Sequence, residues 1–329
     1  MAVVLDEGEL DSLRGADRVR SFIWVAGRGT AETAGALLAS TLATAAAEPI
    51  VLVTEAPPWV GPLDVLVVAG DDPGDPTLVG AAATGVRRGA RVVVVAPYAG
   101  PLRDSTAGRV AVLAPRLWGP DEFGLYRYLA AGLAILQTLE PRLSIDLAAL
   151  ADELDAEVLR NSASRELFTN PAKTLASRMT DGPVALAGDS AATLALARHG
   201  SSMLLRIAHH AVAATGLADA VTALRDRSGG FSDPAEALFH DEQIDGPVAA
   251  RLRVLVLTLS AERTVVTARV AGLDDVFMLG AEDVPQLPSA NGGVDAAVVP
   301  AGAGRAEQQL AVLAVRLEMA AVYLRLTRG

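Results

Sequence analysis

The sequence predicts an α/β protein of two domains, each with a doubly wound parallel sheet between layers of helices. Short, continuous runs of β-branched residues alternate with helix-like stretches, a pattern typical of strands that are covered on both faces. The length of 329 residues suits two domains, because a domain usually holds about 100–200 residues. In addition, the turn at 26–33 resembles the turn at 187–193. Each follows an apolar strand and opens a helix, which indicates an internal duplication.

The elements are expected in the following order. In the first half, strands lie at 21–25, 50–53, 65–68 and 92–95, and helices lie at 31–46 and 76–88. Apolar residues spaced three to four apart predict further helices at 122–139 and 145–160. In the second half, strands are expected at 183–187, 253–259, 276–279 and 296–299, and an amphipathic helix at 306–326 closes the chain. The domains are therefore predicted at 1–155 and 156–329.

The composition excludes several classes of function. The chain has 39 acidic and 28 basic side chains, a net charge of −11, which disfavours nucleic acid as a partner because its binding needs a basic surface. The absence of cysteine excludes disulfides, thiolate nucleophiles and cysteine-ligated metals. Only one basic residue is a lysine, Lys173, so a mechanism that needs any other lysine is excluded. The histidines lack zinc-ligand spacing, and we expect neither a metal nor a cofactor.

The sequence also bears on location. It contains no run of about 20 apolar residues, the length that crosses a bilayer. Its first residues become acidic at Asp6 and form neither a basic nor an apolar leader segment. We therefore expect a cytoplasmic protein without a membrane partner.

The turn after the first strand is a candidate anion site. Gly27, Gly29 and Thr30 open a helix, so free N–H groups, the helix dipole and a hydroxyl could face a phosphate. A dinucleotide fingerprint would need glycine at Glu32, and a Walker motif would need a lysine. The pattern therefore suits a phosphomonoester, or an ordinary turn in which Thr30 caps the helix.

The second turn, at 70–76, carries three aspartates. They could hold a hard cation, although aspartate and proline are also common turn and N-cap residues, which is the interpretation we favour. Three carboxylates would repel a phosphate from this turn.

Among the four histidines, His240 is the candidate acid–base group. It lies beside Asp241 and Glu242 in a loop-like, glycine- and proline-rich segment. His209 is expected within an alanine-rich helix, and His199 is expected to cap a helix end.

Several segments together resemble the sugar isomerase (SIS) family, specifically its bifunctional phosphoglucose/phosphomannose isomerases. They are Asn170-Pro171-Ala172-Lys173, Pro115-Arg116, and Phe239-His240-Asp241-Glu242 followed by Gly246. The resemblance covers nearly the whole chain. It implies two flavodoxin-like, three-layer α-β-α SIS domains with parallel sheets and a C-terminal helix. It also implies a homodimer and aldose–ketose isomerisation of hexose 6-phosphates, with His240 opening the sugar ring and Arg116 facing the phosphate.

The catalytic pattern of the family is incomplete here. The position of its base, a glutamate, falls on about Leu205, and no carboxylate occurs between Asp189 and Asp219. The lysine that the family carries near its C-terminus is absent. His209 or Glu242 could replace the base only if the fold presents it to the ligand. A purely structural oligomer is one alternative, and two ligand-binding functions remain open: an isomerase that uses His240 and Glu242, and an inactive sugar-phosphate-binding or regulatory protein. In both, Gly27, Gly29, Thr30, Arg116 and His209 are the predicted substrate-binding residues.

Overall fold

The computed structural model describes residues 8–14, 18–116, 119–180, 182–225, 250–283 and 304–328. The chain divides into two compact units, Met1–Asp152 and Glu153–Gly329. Each unit is built around its own parallel sheet, so the predicted α/β class with two parallel sheets is confirmed.

The first unit holds a five-stranded sheet in the order β2-β1-β3-β4-β5, and all neighbours are parallel. Its strands are β1 (Ser21–Val25), β2 (Ile50–Val53), β3 (Asp64–Ala69), β4 (Arg91–Val95) and β5 (Ala111–Val112). The helices that begin in this unit are α1 (Gly29–Leu42), α2 (Pro76–Arg87), α3 (Gly100–Thr106), α4 (Leu125–Leu139) and α5 (Leu147–Arg160). The last of these crosses the boundary between the units.

The central strands of this sheet are buried along their whole length. Every residue of β1 and β3 is buried, which is why these segments have a continuous apolar pattern instead of an alternating one. Trp24 is fully buried, and its indole N–H donates to the carbonyl oxygen of Ala31 at 2.9 Å. This bond fixes the first turn of α1 against β1.

Two helical glycines allow α1 and α4 to approach the core closely. A Cβ atom on Gly35 would lie 2.4 Å from Trp24 Cδ1, and one on Gly132 would lie 2.2 Å from Leu38 Cδ1. Both distances are far below a normal carbon–carbon contact. Glycine is therefore required at these positions, although it weakens an isolated helix.

The second unit holds a four-stranded parallel sheet in the order β7-β6-β8-β9 within the described residues. Its strands are β6 (Val184–Gly188), β7 (Ala213–Gly216), β8 (Arg253–Leu257) and β9 (Val276–Leu279). Its helices are α6 (Pro171–Ser177), α7 (Ala191–Ala208), α8 (Leu217–Arg225), α9 (Arg263–Val270) and α10 (Ala306–Arg328). The strand predicted at 296–299 lies outside the described residues.

The closing helix differs from the prediction. It covers the expected segment, but it is buried on most sides and is not amphipathic. Its polar residues have partners within the unit: Arg316 Nε donates to Glu157 Oε1 at 2.6 Å, and Glu318 Oε1 lies 3.0 Å from His199 Nε2. Among the described residues, no helix is long and apolar enough to cross a membrane.

Candidate functional site

The predicted anion turn is occupied by the protein itself. Helix α1 begins at Gly29, whose φ is +68°. The side chain of Thr30 is fully buried, and its hydroxyl donates to Asp121 through the carbonyl oxygen at 3.0 Å and Oδ1 at 3.2 Å. A Cβ on Gly29 would lie only 2.8 Å from Asp121 Oδ2. A carboxylate therefore stands beside the helix N-terminus, where a phosphate would otherwise be attracted.

The acidic turn behaves as a turn and a cap. Asp75 accepts a bond from the backbone N–H of Thr77 at 2.8 Å at the start of α2, and Asp72 accepts one from Gly74 at 2.8 Å. Arg28 lies near both carboxylates, at 3.8 Å from Asp72 and 4.0 Å from Asp75. No cluster of metal-ligating side chains is found in the part of the chain that the structure describes.

Tyr128, on α4, lies with Thr30 around Gly124 and stays neutral at physiological pH. Burial raises the pKa of its hydroxyl to about 12, and the charges of Asp121 and Asp71 act in the same direction, against the opposing effect of Arg127. The Arg127 guanidinium donates to the hydroxyl at 2.6 Å. The described residues around this turn thus combine aspartates with a neutral phenol and the guanidiniums of Arg28 and Arg127.

Arg116 lies at the surface. Its side chain is 52% exposed, and its guanidinium is 3.8 Å from the Glu9 carboxylate, a long ion pair of little strength. Gly27, Gly29 and Thr30 lie together in one turn of the same unit. His209 belongs to the other unit, and His240 and Glu242 lie outside the described residues.

The histidine predictions need two corrections. His209 does not lie within the helix: α7 ends at Ala208, and His209 is its exposed C-cap with φ +51°. His199 is not at a helix end but is buried inside α7, paired with Glu318. His210 is partly buried, and its Nδ1 lies 2.8 Å from Arg328 Nη1. Burial and the Arg328 charge lower its pKa, which favours the neutral ring.

Helix α7, on which position 205 lies, carries no acidic residue. Position 205, on α7, is a leucine whose side chain is 56% exposed, and no residue from Ala191 to Ala208 is acidic. The turn before α7 is also satisfied internally. Ser190 and Thr193 form a capping box, and Asp189 is ion-paired with Arg269.

The single lysine has a structural position. Asn170 caps α6 by accepting a bond from the Lys173 N–H at 2.9 Å. The Lys173 ammonium donates to the carbonyl oxygens of Ala163 at 2.8 Å and Arg165 at 2.7 Å, and it lies 5.4 Å from the centre of the Tyr323 ring. The segment Asn170–Lys173 therefore joins the start of α6 to the preceding loop.

Sequence reasoning missed the role of Asp121. It faces Thr30 across 91 positions of the chain, and no local pattern signals such a contact. It also missed the buried pair of Arg316 and Glu157, which are 159 positions apart. The sequence signal that could have suggested it is an arginine inside the apolar run Leu310–Leu317.

Solved structures show which known folds are similar. The tagatose-6-phosphate ketose/aldose isomerase of Escherichia coli matches with a TM-score of 0.61 at 16% identity, over 100% of this chain and 88% of that chain. Glucosamine-6-phosphate deaminase of Thermotoga maritima gives 0.60 at 8% identity, over 99% and 93%. A glucose-6-phosphate isomerase-like protein of Thermus thermophilus gives 0.54 at 19% identity, over 99% and 93%.

Sequence comparisons are less informative: neither a protein-family model nor a curated protein matches the chain. The structural matches cover both units and nearly the whole of each neighbour. At sequence identities this low, the matches establish the fold, and a function has to be argued from the residues of the site. The chain therefore has an α/β fold with two parallel sheets that is similar to the folds of solved phosphosugar isomerases.

Proposed function

We propose that this protein binds a sugar phosphate and does not isomerise it. The observation that carries the proposal is the surface of α7, which presents Leu205 where the resembling family has its base and offers no carboxylate along its length. Isomerisation moves a proton between C1 and C2 of the sugar, and a positioned acid–base group contributes about 10²–10⁴-fold to such a step. A leucine cannot accept that proton.

The lysine supports the same conclusion. The family pattern needs a lysine near the C-terminus, whereas the only lysine here donates to two carbonyl oxygens within its own loop. Its ammonium group therefore has a structural role, because it holds the loop before α6. No other lysine exists in the sequence to replace it.

The ligand we propose is a hexose 6-phosphate of the phosphoglucose/phosphomannose isomerase type. Three similar structures have names that contain a sugar 6-phosphate, and the motif at 170–173 resembles that subfamily. Gly27, Gly29, Thr30 and Arg116 are the proposed phosphate contacts, which requires Asp121 to move away from Thr30. Roles for His209, His240 and Glu242, a homodimer and a cytoplasmic location remain predictions.

Thermal unfolding in the presence of ligands tests binding. Glucose, mannose and fructose 6-phosphates should each be compared with the free sugar plus inorganic phosphate. A ligand that binds only the native state stabilises it by about 2.7 kcal/mol at a hundredfold excess over Kd. We expect stabilisation by at least one hexose 6-phosphate and a weaker effect in Arg116→Gln, with the exposed Arg142→Gln as matched control. If no sugar phosphate shifts the transition, the binding proposal is wrong.

A coupled isomerase assay with the same three sugar phosphates tests the second part of the proposal, that the protein does not isomerise its ligand. We expect no turnover above the buffer rate. Turnover that disappears in His240→Ala would contradict the proposal and establish the isomerase alternative.

A further inference from the structure

The second unit contains a cavity of about 380 Å³ between α6, α10 and the carboxyl ends of β8 and β9. Its volume lies in the range of small-molecule sites, about 300–1,000 Å³. Its walls are mainly apolar and include Leu175, Leu257, Leu279, Leu313 and Leu317. We call it the α6–α10 cavity. All of its lining residues belong to the second unit.

The buried arginine on the cavity wall is not available to a ligand. Arg316 pairs with Glu157 at 2.6 Å and donates to the carbonyl oxygens of Gly280 and Ala281, each at 2.7 Å. Its side chain is only 6% exposed. Its charge is therefore neutralised by Glu157, and its bonds to the two carbonyl oxygens attach α10 to the residues that follow β9.

The acidic group at the cavity is neutralised as well. Asp283 accepts from Arg263 Nη2 through Oδ1 at 2.9 Å and from the backbone N–H of Gly280 through Oδ2 at 2.7 Å. The hydroxyl of Thr174 donates to the Leu167 carbonyl oxygen at 2.8 Å. Neither group is set to attract a cation or to bind the hydroxyls of a sugar.

Arg178 is different. Its guanidinium lies over the ring of Phe277, 4.5 Å from the ring centre, which holds the group in a defined position. Among the residues that the structure describes, no carboxylate lies within ion-pairing distance of it, and its hydrogen bonds run through its backbone. Within the described residues, the cavity therefore combines apolar walls with one guanidinium that lies over an aromatic ring and has no carboxylate partner.

We propose that the α6–α10 cavity binds a small amphipathic anion, with the apolar part among the leucines and the anionic head on Arg178. A guanidinium forms two parallel charge-assisted bonds to a carboxylate, which makes a single arginine a sufficient anchor. The ligand class differs from the sugar phosphate proposed above, because the walls offer few hydrogen-bonding groups for hydroxyls. This site would suit an effector.

Octanoate and octanol are the probes, because they share an apolar chain and differ in charge. In thermal unfolding and calorimetry on the full chain, we expect octanoate to bind one site at least about tenfold more tightly than octanol, since hydrogen bonds to charged groups are the strong ones. Arg178→Gln should abolish this preference, and Arg198→Gln, at an exposed arginine of α7, should retain it. Equal binding of the two probes, or an unchanged preference in Arg178→Gln, would overturn the proposal.

A measurement on the native sequence avoids dependence on the folding of a variant. The chain has six phenylalanines, so fluorine NMR of fluorophenylalanine-labelled protein resolves few signals. Octanoate should shift the Phe277 signal and leave that of Phe22, buried in the first unit, unchanged. Glucose 6-phosphate should neither cause this shift nor displace octanoate. Displacement, or an unshifted Phe277 signal, would contradict a separate site, whatever the outcome of the sugar-phosphate experiments.

Discussion

Asp64 shows how one buried carboxylate organises the start of β3. It accepts bonds from Arg20 Nε at 2.9 Å, Ser21 Oγ at 2.7 Å and the Gly61 N–H at 2.8 Å. Burial opposes its ionisation, but these donors together outweigh burial and lower its pKa. The charged form is thus the native one, and it ties β1, β3 and the loop before β3 together.

This predicts how stability responds to pH. A carboxyl whose folded pKa lies below the unfolded value of about 3.9 stabilises the fold above that value, and the contribution is lost as pH falls through the folded pKa. Asp64→Asn should therefore cost about 1–3 kcal/mol at neutral pH, and the cost should shrink below about pH 4. Urea unfolding of both proteins at pH 7 and pH 3 checks this, with the exposed Asp104→Asn as control. A pH-independent difference would contradict it.

Lys173 gives a second test at the residue scale. Lys173→Met removes two charge-assisted bonds and leaves the carbonyl oxygens of Ala163 and Arg165 without this donor. We expect a loss of about 1–3 kcal/mol in the unfolding free energy, measured by denaturant titration. Arg198→Met, which removes an exposed charge from α7, should be nearly neutral. An unchanged stability in Lys173→Met would leave the only lysine of the chain free for another role.

At the element scale, the sequence predicted the strands that contain a continuous run of large apolar residues and missed β5 and β7, which contain none. β1, β2 and β9 lie at their predicted positions, because each contains four consecutive large apolar residues, although only β1 is buried along its whole length. β5 spans two residues and β7 is Ala-Ala-Thr-Gly, so neither has a pattern to detect. The helix expected at 31–46 ends at Leu42, since a run of alanines continues the helical pattern beyond the packed segment.

Helix packing yields a prediction with an internal control. Gly132 on α4 has no room for a Cβ beside Leu38, whereas Gly80 on α2 has no atom within 4 Å of that position. Gly132→Ala should destabilise the first unit by about 1–3 kcal/mol through overpacking. Gly80→Ala should stabilise it by about 0.5–1 kcal/mol, because alanine is the better helix former. Thermal unfolding of the two variants compares them directly, and a stabilising Gly132→Ala would show that α1 and α4 are not packed as described.

At the scale of the whole molecule, the fold was predictable and the state of the site was not. Strand–helix alternation and the motif at 170–173 pointed to an α/β fold with two parallel sheets, which the structure and its neighbours bear out. The stretch without a carboxylate between Asp189 and Asp219 and the single lysine could also be counted in the sequence. The carboxylate of Asp121 beside the predicted phosphate turn could not be foreseen, because that contact depends on tertiary packing.

Some of the acidic residues that give the chain its net negative charge are clustered in the first unit. Part of the excess of acidic residues lies at the carboxyl edge of the first sheet, where Asp72, Asp75 and Asp121 surround the turns that open α1 and α2. A sugar phosphate that binds there must compete with these carboxylates. We therefore expect weak binding of a sugar phosphate at this edge.

Solvent exchange at C2 of the sugar tests this account most directly. The protein is incubated with glucose 6-phosphate, mannose 6-phosphate or fructose 6-phosphate in D₂O, and loss of the C2 proton signal of the aldoses and formation of deuterated product are followed by proton NMR. Isomerisation through an enediol exchanges this proton with solvent even when net turnover is small. We predict no exchange above the buffer rate at ligand concentrations that stabilise the protein. Exchange that depends on the protein and is lost in His240→Ala would contradict the account.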